Sequence, residues 1–440
     1  MAAAGAVLPA SAALPPREPS RWTAAARAFF LLAAFGSVSS PPAANIFAFL
    51  ALLAYAGTPQ AWPRLQAAAR RPLGLGLLVL LATLAAAMLW AEGVPWGQRF
   101  ASWWSWRPLV LLLVGSALYD EAPARDRFAF AMVVLLALGA IGSFVLNAFP
   151  GLMALEERGI LLRNHVTQGM GFVVGILLAA LLVLPRAAGP ASGSASGSTL
   201  GPAMRRLCIG SILLFLLNLG TITSGRSPYV ALLVAAMVVA AGLLPGRTRW
   251  IALLWVPVLG AALLAASPLV RERFGAVYSE AGTVDTSPVA TSSGIRIVIW
   301  KTTRELIARH PLLGVGMGGY PAAYAGLVAE RVPGDADWRT ALVVKDTHNE
   351  YLHVMVEAGV PGLLAFFLFV AGALRQRAPP PYRVFGWALL GAWLATSLFN
   401  SHFQTFAEAH LLGLVLGVLL AAAPQDDLAS SASASAATES

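Results

Sequence analysis

What most limits the fold of this chain is the recurrence of uncharged apolar runs about as long as a bilayer is thick. "PLGLGLLVLLATLAAAMLWA" (Pro72 to Ala91) and "VTQGMGFVVGILLAALLVLP" (Val166 to Pro185) each match the roughly 20 residues a helix needs to cross the hydrocarbon core. Membrane barrel strands would instead alternate in character over about ten residues. Apolar residues make up 58% of the chain and charged residues 12%, about half the usual charged share. That balance excludes a set of water-soluble domains, and the chain reads as an all-α integral membrane protein.

Twelve transmembrane helices are expected, near 23–40, 43–57, 72–91, 104–119, 128–148, 166–185, 206–223, 228–244, 250–267, 360–374, 384–399 and 407–423. The first two are short and broken by "SVSSPP" (Ser37 to Pro42), so a re-entrant pair is the alternative there. The expected organisation is a tail at 1–22, nine helices within 23–267, a large outer loop at 268–347, the last three helices within 348–423, and a second tail at 424–440. Arginines crowd alternate connections: Arg17, Arg21 and Arg27; Arg64, Arg70 and Arg71; Arg125 and Arg127; Arg186, Arg205 and Arg206; Arg247 and Arg249; Arg375, Arg377 and Arg383. Short arginine-rich loops stay cytoplasmic, which puts both termini inside and 268–347 outside.

The pI of about 10.3 largely reflects these orienting arginines, and no nucleic-acid motif accompanies it, so no nucleic-acid partner is expected. Cys208 is the single cysteine; no internal disulfide and no thiolate metal cluster can form. The opening "MAAAGAVLPASAALPP" has no basic residue ahead of its apolar stretch and is broken by Pro9, which reads as a disordered tail and not a secretory leader. "GPASGSASGSTLGP" (Gly189 to Pro202) is flexible by composition.

An outer loop of about 80 residues is too long for a passive connection. Within it, "SSGIRIVIWKTTRELIARHP" reads as a helix with an i,i+4 pair, Glu305 and Arg309, before Pro311 ends it. Arg296 falls in its first turn. "GVGMGGY" (Gly314 to Tyr320) follows a helix and a proline, not the strand that a dinucleotide fingerprint requires. It reads as a turn that lets two loop helices pack closely.

Chemistry on the outer face has no ATP to draw on, so group transfer needs an activated donor already in the membrane, such as a polyprenyl diphosphate sugar. The leaving diphosphate must be stabilised by a divalent ion or by fixed cations. Outer carboxylates are sparse: Glu92, Glu156, Glu157, Asp285, Asp335, Asp337 and Asp346, with no Asp-x-Asp at a span end and no His-x-x-x-His pair. No metal and no cofactor is expected. Arg226 in "TSGRSPY" and Arg296 are placed to grip a diphosphate bidentately, and Arg163 in "RGILLRNHVTQG" is a third candidate. The structural alternative for each is an arginine that snorkels to anchor a helix end.

The attacking sugar hydroxyl must lose a proton, a task suited to a neutral histidine. Six are present: His165, His310, His348, His353, His402 and His410. On a helix starting near Thr347, His348, Tyr351, Leu352 and Met355 share one face, while His353 and Glu357 form a buttressing i,i+4 pair on another. His348 sits at the helix start, where Asn349 can orient a ligand or the imidazole, and Tyr351 adds to the cleft. A capping or headgroup-contacting histidine is the structural alternative.

These residues resemble a known family. "HNEYLHVMVEAGVPG" fits His, then Asn, Ser or Gln, nine residues, then Gly-x-x-Gly, through His348, Asn349, Gly359 and Gly362, a pattern similar to the O-antigen ligase and polymerase superfamily. "GIRIVIW" with "HPLLGVGMGGY", and "SGRSPYVALL", look like two further stretches of that family in the same order. The resemblance implies a type-C membrane glycosyltransferase of the bacterial inner membrane, metal-independent and inverting, acting at the periplasmic face on undecaprenyl diphosphate-linked glycan. By position, His348 would be the base and Arg226 and Arg296 the diphosphate clamp. The family's arginine turn often reads Ser-Arg-Gly, whereas this chain has Ser-Gly-Arg-Ser. One large outer loop is the ligase pattern, which implies O-antigen as cargo and lipid A core oligosaccharide as acceptor, with membrane lipids around the protein. O-antigen polymerase or protein O-oligosaccharyltransferase is the alternative within the superfamily, and a lipid-linked sugar flippase or a histidine-dependent acyltransferase outside it.

Overall fold

The computed structural model describes residues 20–153, 157–184, 201–223, 225–266, 292–331 and 344–422. All regular structure among them is helical. In chain order the helices are α1 (Arg21–Ser39), α2 (Pro41–Ala56), α3 (Ala61–Arg70), α4 (Pro72–Ala86), α5 (Trp96–Trp104), α6 (Leu111–Leu118), α7 (Ala122–Ala148) and α8 (His165–Val183). They continue as α9 (Pro202–Thr221), α10 (Ser227–Leu243), α11 (Gly246–Ala266), α12 (Ser292–Arg309), α13 (Tyr320–Arg331), α14 (Glu350–Arg375), α15 (Tyr382–Thr396) and α16 (Phe406–Leu419). The expected tails apart from residues 20–22, the Gly189–Pro202 linker apart from its last two residues, and Glu156, Asp285, Asp335 and Asp337 lie outside the described residues; Ser20 caps α1, so the first tail ends earlier than the expected 22.

The expectation of twelve membrane spans is corrected. Among the described residues five helices are long and apolar enough to cross a membrane: α1, α7, α8, α9 and α14. A sixth is reached only if α2 and α3, bent by 111° at their junction, count as one broken span. Each expected segment does coincide with a helix, but several are too short. α4 and α15 have 15 residues each, α10 has 17 and α16 has 14. At 1.5 Å per residue such helices reach about 21–26 Å, less than the ~30 Å hydrocarbon core. An apolar run in a sequence marks burial in protein or in lipid alike, and only the helix ends separate the two. At the first two segments, where a re-entrant pair was the alternative, α1 is long enough to cross by itself and packs on α2 across the single residue Ser40, while the sharp bend falls later, between α2 and α3.

Close helix contacts rest on missing side chains. A Cβ on Gly76 of α4 would stand 2.8 Å from the Leu368 carbonyl oxygen, and one on Gly372 would stand 2.3 Å from that of Pro72. With glycine at both places the α4 and α14 backbones approach directly. Arg125 is 1% exposed and donates to the carbonyls of Tyr119 (2.7 Å) and Asp120 (2.8 Å), while Tyr382 donates to Asp126 (2.7 Å). These bonds tie α7 to the start of α15. A buried polar node joins α7, α8 and α9: Asn218 Nδ2 donates to Ser143 (2.9 Å), Thr223 donates to Asn218 Oδ1 (2.9 Å), and Gln168 Oε1 accepts from the Leu161 and Leu162 amides. Satisfied internally, it holds the loop before α8 and the chain leading to Arg226.

Candidate active site

Four residues ahead of α14 carry the site. Asn349 is the N-cap: its Oδ1 accepts from the Leu352 amide (3.0 Å) and its Nδ2 donates to the Leu398 carbonyl (2.8 Å). That cap stops the helix, so His348 lies outside it and does not share a helical face with Tyr351, as the sequence spacing suggests. His348 adopts a left-handed φ of 49°. Its backbone N–H donates to Asp346 Oδ1 (2.7 Å), and its ring Nδ1 lies 3.3 Å from the same oxygen. Ser401 donates a further bond to that carboxylate (3.2 Å). Trp300 of α12, one turn beyond Arg296, donates to the Thr347 carbonyl (2.9 Å). The imidazole is therefore held from its Nδ1 side while the side chain remains 43% exposed. In the neutral tautomer that donates from Nδ1, Nε2 is left as an acceptor.

The first half of α14 is braced on two sides. Glu350, fully buried, accepts from the Phe403 amide (2.8 Å) and from Gln404 (3.3 Å). Tyr351 donates to the Leu394 carbonyl (2.8 Å) and packs edge-on against Phe366. Its hydroxyl and the Asn349 amide thus both hold α14 against the end of α15. On the other side His353 Nε2 lies 3.4 Å from Glu357, the i,i+4 pair read from the sequence. Glu357 also accepts from the Gly318 amide (3.0 Å) and from Ser102 of α5 (3.1 Å).

The glycine turn is a clamp for this helix. Gly314, Gly316 and Gly318 take φ values of 70°, 84° and 78°, and the turn they shape bonds through Val315 N–H to the Val356 carbonyl (2.7 Å). Gly359 answers from α14 with φ 63° and ψ −157°, breaking the helix. The Val360 amide then donates to the Leu312 carbonyl (3.0 Å) instead of to its own helix. Gly362 lies a turn later, where a Cβ would meet Ala358 Cβ at 2.4 Å.

The connection between α15 and α16 gathers the remaining candidates. Asn400 donates to the Ser227 hydroxyl (2.8 Å), next to Arg226. Ser401 reaches Asp346, and Phe403 reaches Glu350. Between them His402 is buried, with neither ring nitrogen hydrogen-bonded. The charges of Glu408 and Arg296 both bear on it. The structure thus brings His348, Arg226 and Arg296 to one loop. Arg163 reaches the start of α16 from the side of α8: it takes φ 60°, its guanidinium lies 5.5 Å from the Phe406 ring centroid, and four residues on Thr167 donates to Glu408 (2.7 Å).

Sequence reasoning missed Asp346, Ser401 and His402 as parts of this arrangement. Asp346 had a signal, since a carboxylate two residues before a histidine in "DTH" can cap that residue's own amide. The polar insert "NSHFQT" (Asn400 to Thr405) between two apolar runs was the signal for the other two.

Burial holds the His402 pKa below its ordinary 6.5; the Glu408 carboxylate opposes this and the Arg296 guanidinium adds to it. The unfolded chain takes up that proton near 6.5 while the fold resists it. The contribution to stability is therefore complete above that pH and declines as pH falls through it, by up to about 1.4 kcal/mol per pH unit for one proton. The thermal midpoint of purified protein should drop between about pH 7 and about pH 5.5, and His402→Gln should flatten that drop. An equally steep acid decline in the variant would contradict this assignment.

The O-antigen ligase family (Wzy_C) matches residues 209–367, a stretch running from α9 through Arg226, Arg296 and His348 to beyond Gly362. No curated protein matches the chain. Over residues 209–367, a little over a third of its length, this chain is similar to the O-antigen ligase family.

Proposed function

We propose that this protein transfers O-antigen polysaccharide from undecaprenyl diphosphate to a sugar hydroxyl of the lipid A core oligosaccharide, at the periplasmic face of the bacterial inner membrane. The observation that carries the reading is the Asp346–His348 arrangement, in which one carboxylate oxygen orients both the backbone and the ring of an exposed histidine. His348 Nε2 takes the proton of the acceptor hydroxyl as its oxygen attacks the anomeric carbon. The bond from that carbon to the diphosphate oxygen breaks on the opposite side, so the configuration inverts. Arg226 and Arg296, with Arg163 as a third cation, hold the departing diphosphate through their planar guanidinium forks. Asn349 and Tyr351 frame the acceptor cleft by fixing the start of α14. No step calls for a metal ion, and among the described residues no three His, Cys, Asp or Glu side chains group to hold one.

The test is reconstitution: purified protein in liposomes with lipid-linked glycan and core acceptor, with and without EDTA, and linkage analysis of the product. Transfer should be unaffected by EDTA and give inverted linkages. Arg226→Ala and Arg296→Ala should each lower kcat/KM by about 10²–10³, the usual loss on removing one donor to a developing anion. Full activity in Arg296→Ala, or EDTA inhibition reversed by a divalent ion, would defeat the mechanism. Extension of the donor glycan without use of core would reassign the chain to a polymerase, and labelling of protein acceptors would make it a protein glycosyltransferase.

A further inference from the structure

α5 is too short to cross a bilayer, and none of its residues is buried. Its sequence, WGQRFASWW, sets Trp96, Phe100 and Trp104 at i, i+4 and i+8, one stripe of a helix. They are 60%, 50% and 46% exposed, and Phe100 stacks on Trp104 at 5.5 Å. Just before the helix Leu89 is 73% exposed, and the neighbouring Trp90 donates to the carbonyl of Leu313, itself 49% exposed. The opposite side of α5 is polar and bonded inward: Gln98 donates to the Gly318 carbonyl (3.0 Å) and Ser102 to Glu357 (3.1 Å). Two cations flank the stripe. The Arg99 guanidinium lies 4.6 Å from the Trp96 ring centroid, and that of Arg107 lies 5.4 Å from Trp104.

We propose that α5 lies flat in the outer interface of the bilayer, with the Trp96–Phe100–Trp104 stripe docked on lipid. Indoles favour that level because one edge is polar and the ring is apolar. Arginines stacked on those indoles stand at the height of lipid phosphates, which complement their charge. A second copy of the chain fits less well, because a two-fold contact through one patch would bring the same arginines face to face. The inward bonds give this seat a consequence: Gly318 and Glu357 belong to the clamp on α14, so α5 sets how far above the lipid His348 stands. The inference does not depend on the reaction assigned above.

The experiment uses the full chain in phospholipid nanodiscs containing anionic lipid, in a Cys208→Ala background. Single spin labels are attached at Phe100→Cys and Trp104→Cys, with Glu92→Cys in the preceding loop as the aqueous reference. Power saturation should show the first two labels relaxed by oxygen and shielded from a nickel chelate, and the Glu92 label the reverse. Nickel access at 100 and 104 equal to that at 92 would overturn the proposal, as would dipolar broadening from a second copy. Unmodified protein illuminated with a phospholipid photoreactive near its glycerol should carry adducts between Trp96 and Trp104, and their absence there would also overturn it.

Discussion

Replacing His348 with alanine should abolish transfer while leaving the protein folded in the membrane. A positioned general base is worth about 10²–10⁴ in rate, so the residual activity should approach the background of the donor alone. The side chain contributes little packing, being 43% exposed with Asp346 as its side-chain partner. Its backbone, however, sits at φ 49°, where a residue with a Cβ is strained by roughly 1–2 kcal/mol. His348→Asn separates chemistry from strain, because asparagine tolerates that conformation well. It should be as inactive as the alanine variant and melt with the parent protein. Normal transfer by either variant, measured with purified protein and lipid-linked donor, would refute the base assignment.

Replacing Gly359 with alanine should cost folded protein and not merely rate. An added Cβ would stand 2.1 Å from the Leu312 carbonyl oxygen, at a backbone φ of 63°. Relief requires moving the turn that bonds through Val315 to Val356 and through Gly318 to Glu357. Left-handed strain together with a backbone clash should cost about 3 kcal/mol or more. A loss of monodisperse protein on extraction, or a thermal midpoint lowered by several degrees, is the expected reading. A variant with the parent's midpoint would show that the kink is not required. Gly362→Ala meets a side-chain atom of Ala358 instead, which can shift, and should be milder.

How far the site was legible follows from which contacts make it. The i,i+4 pairs Glu305–Arg309 and His353–Glu357 stand where spacing put them, because the partners share one helix. The position of His348 relative to its helix did not, since that depends on Asn349 choosing the Leu352 amide, and an asparagine at that point of a sequence is equally compatible with a helix interior. Asp346 was counted only as one of several scattered carboxylates. Its role depends on Ser401, 55 residues away. The glycine stretch read only as a turn between two loop helices, and its three left-handed residues are the mould into which Gly359 fits.

The sequence alone determined that the chain is helical and apolar, the approximate position of most of its apolar helices, and the motif around His348, because these depend on composition and on neighbours a few residues apart. Which helices are long enough to cross a membrane, which face α5 turns outward, and how the α15–α16 loop joins Ser227, Asp346 and Glu350 were decided by tertiary structure. Those outcomes depend on helix ends and on pairs of groups 53 to 173 residues apart, whose meeting leaves no periodic trace in the chain.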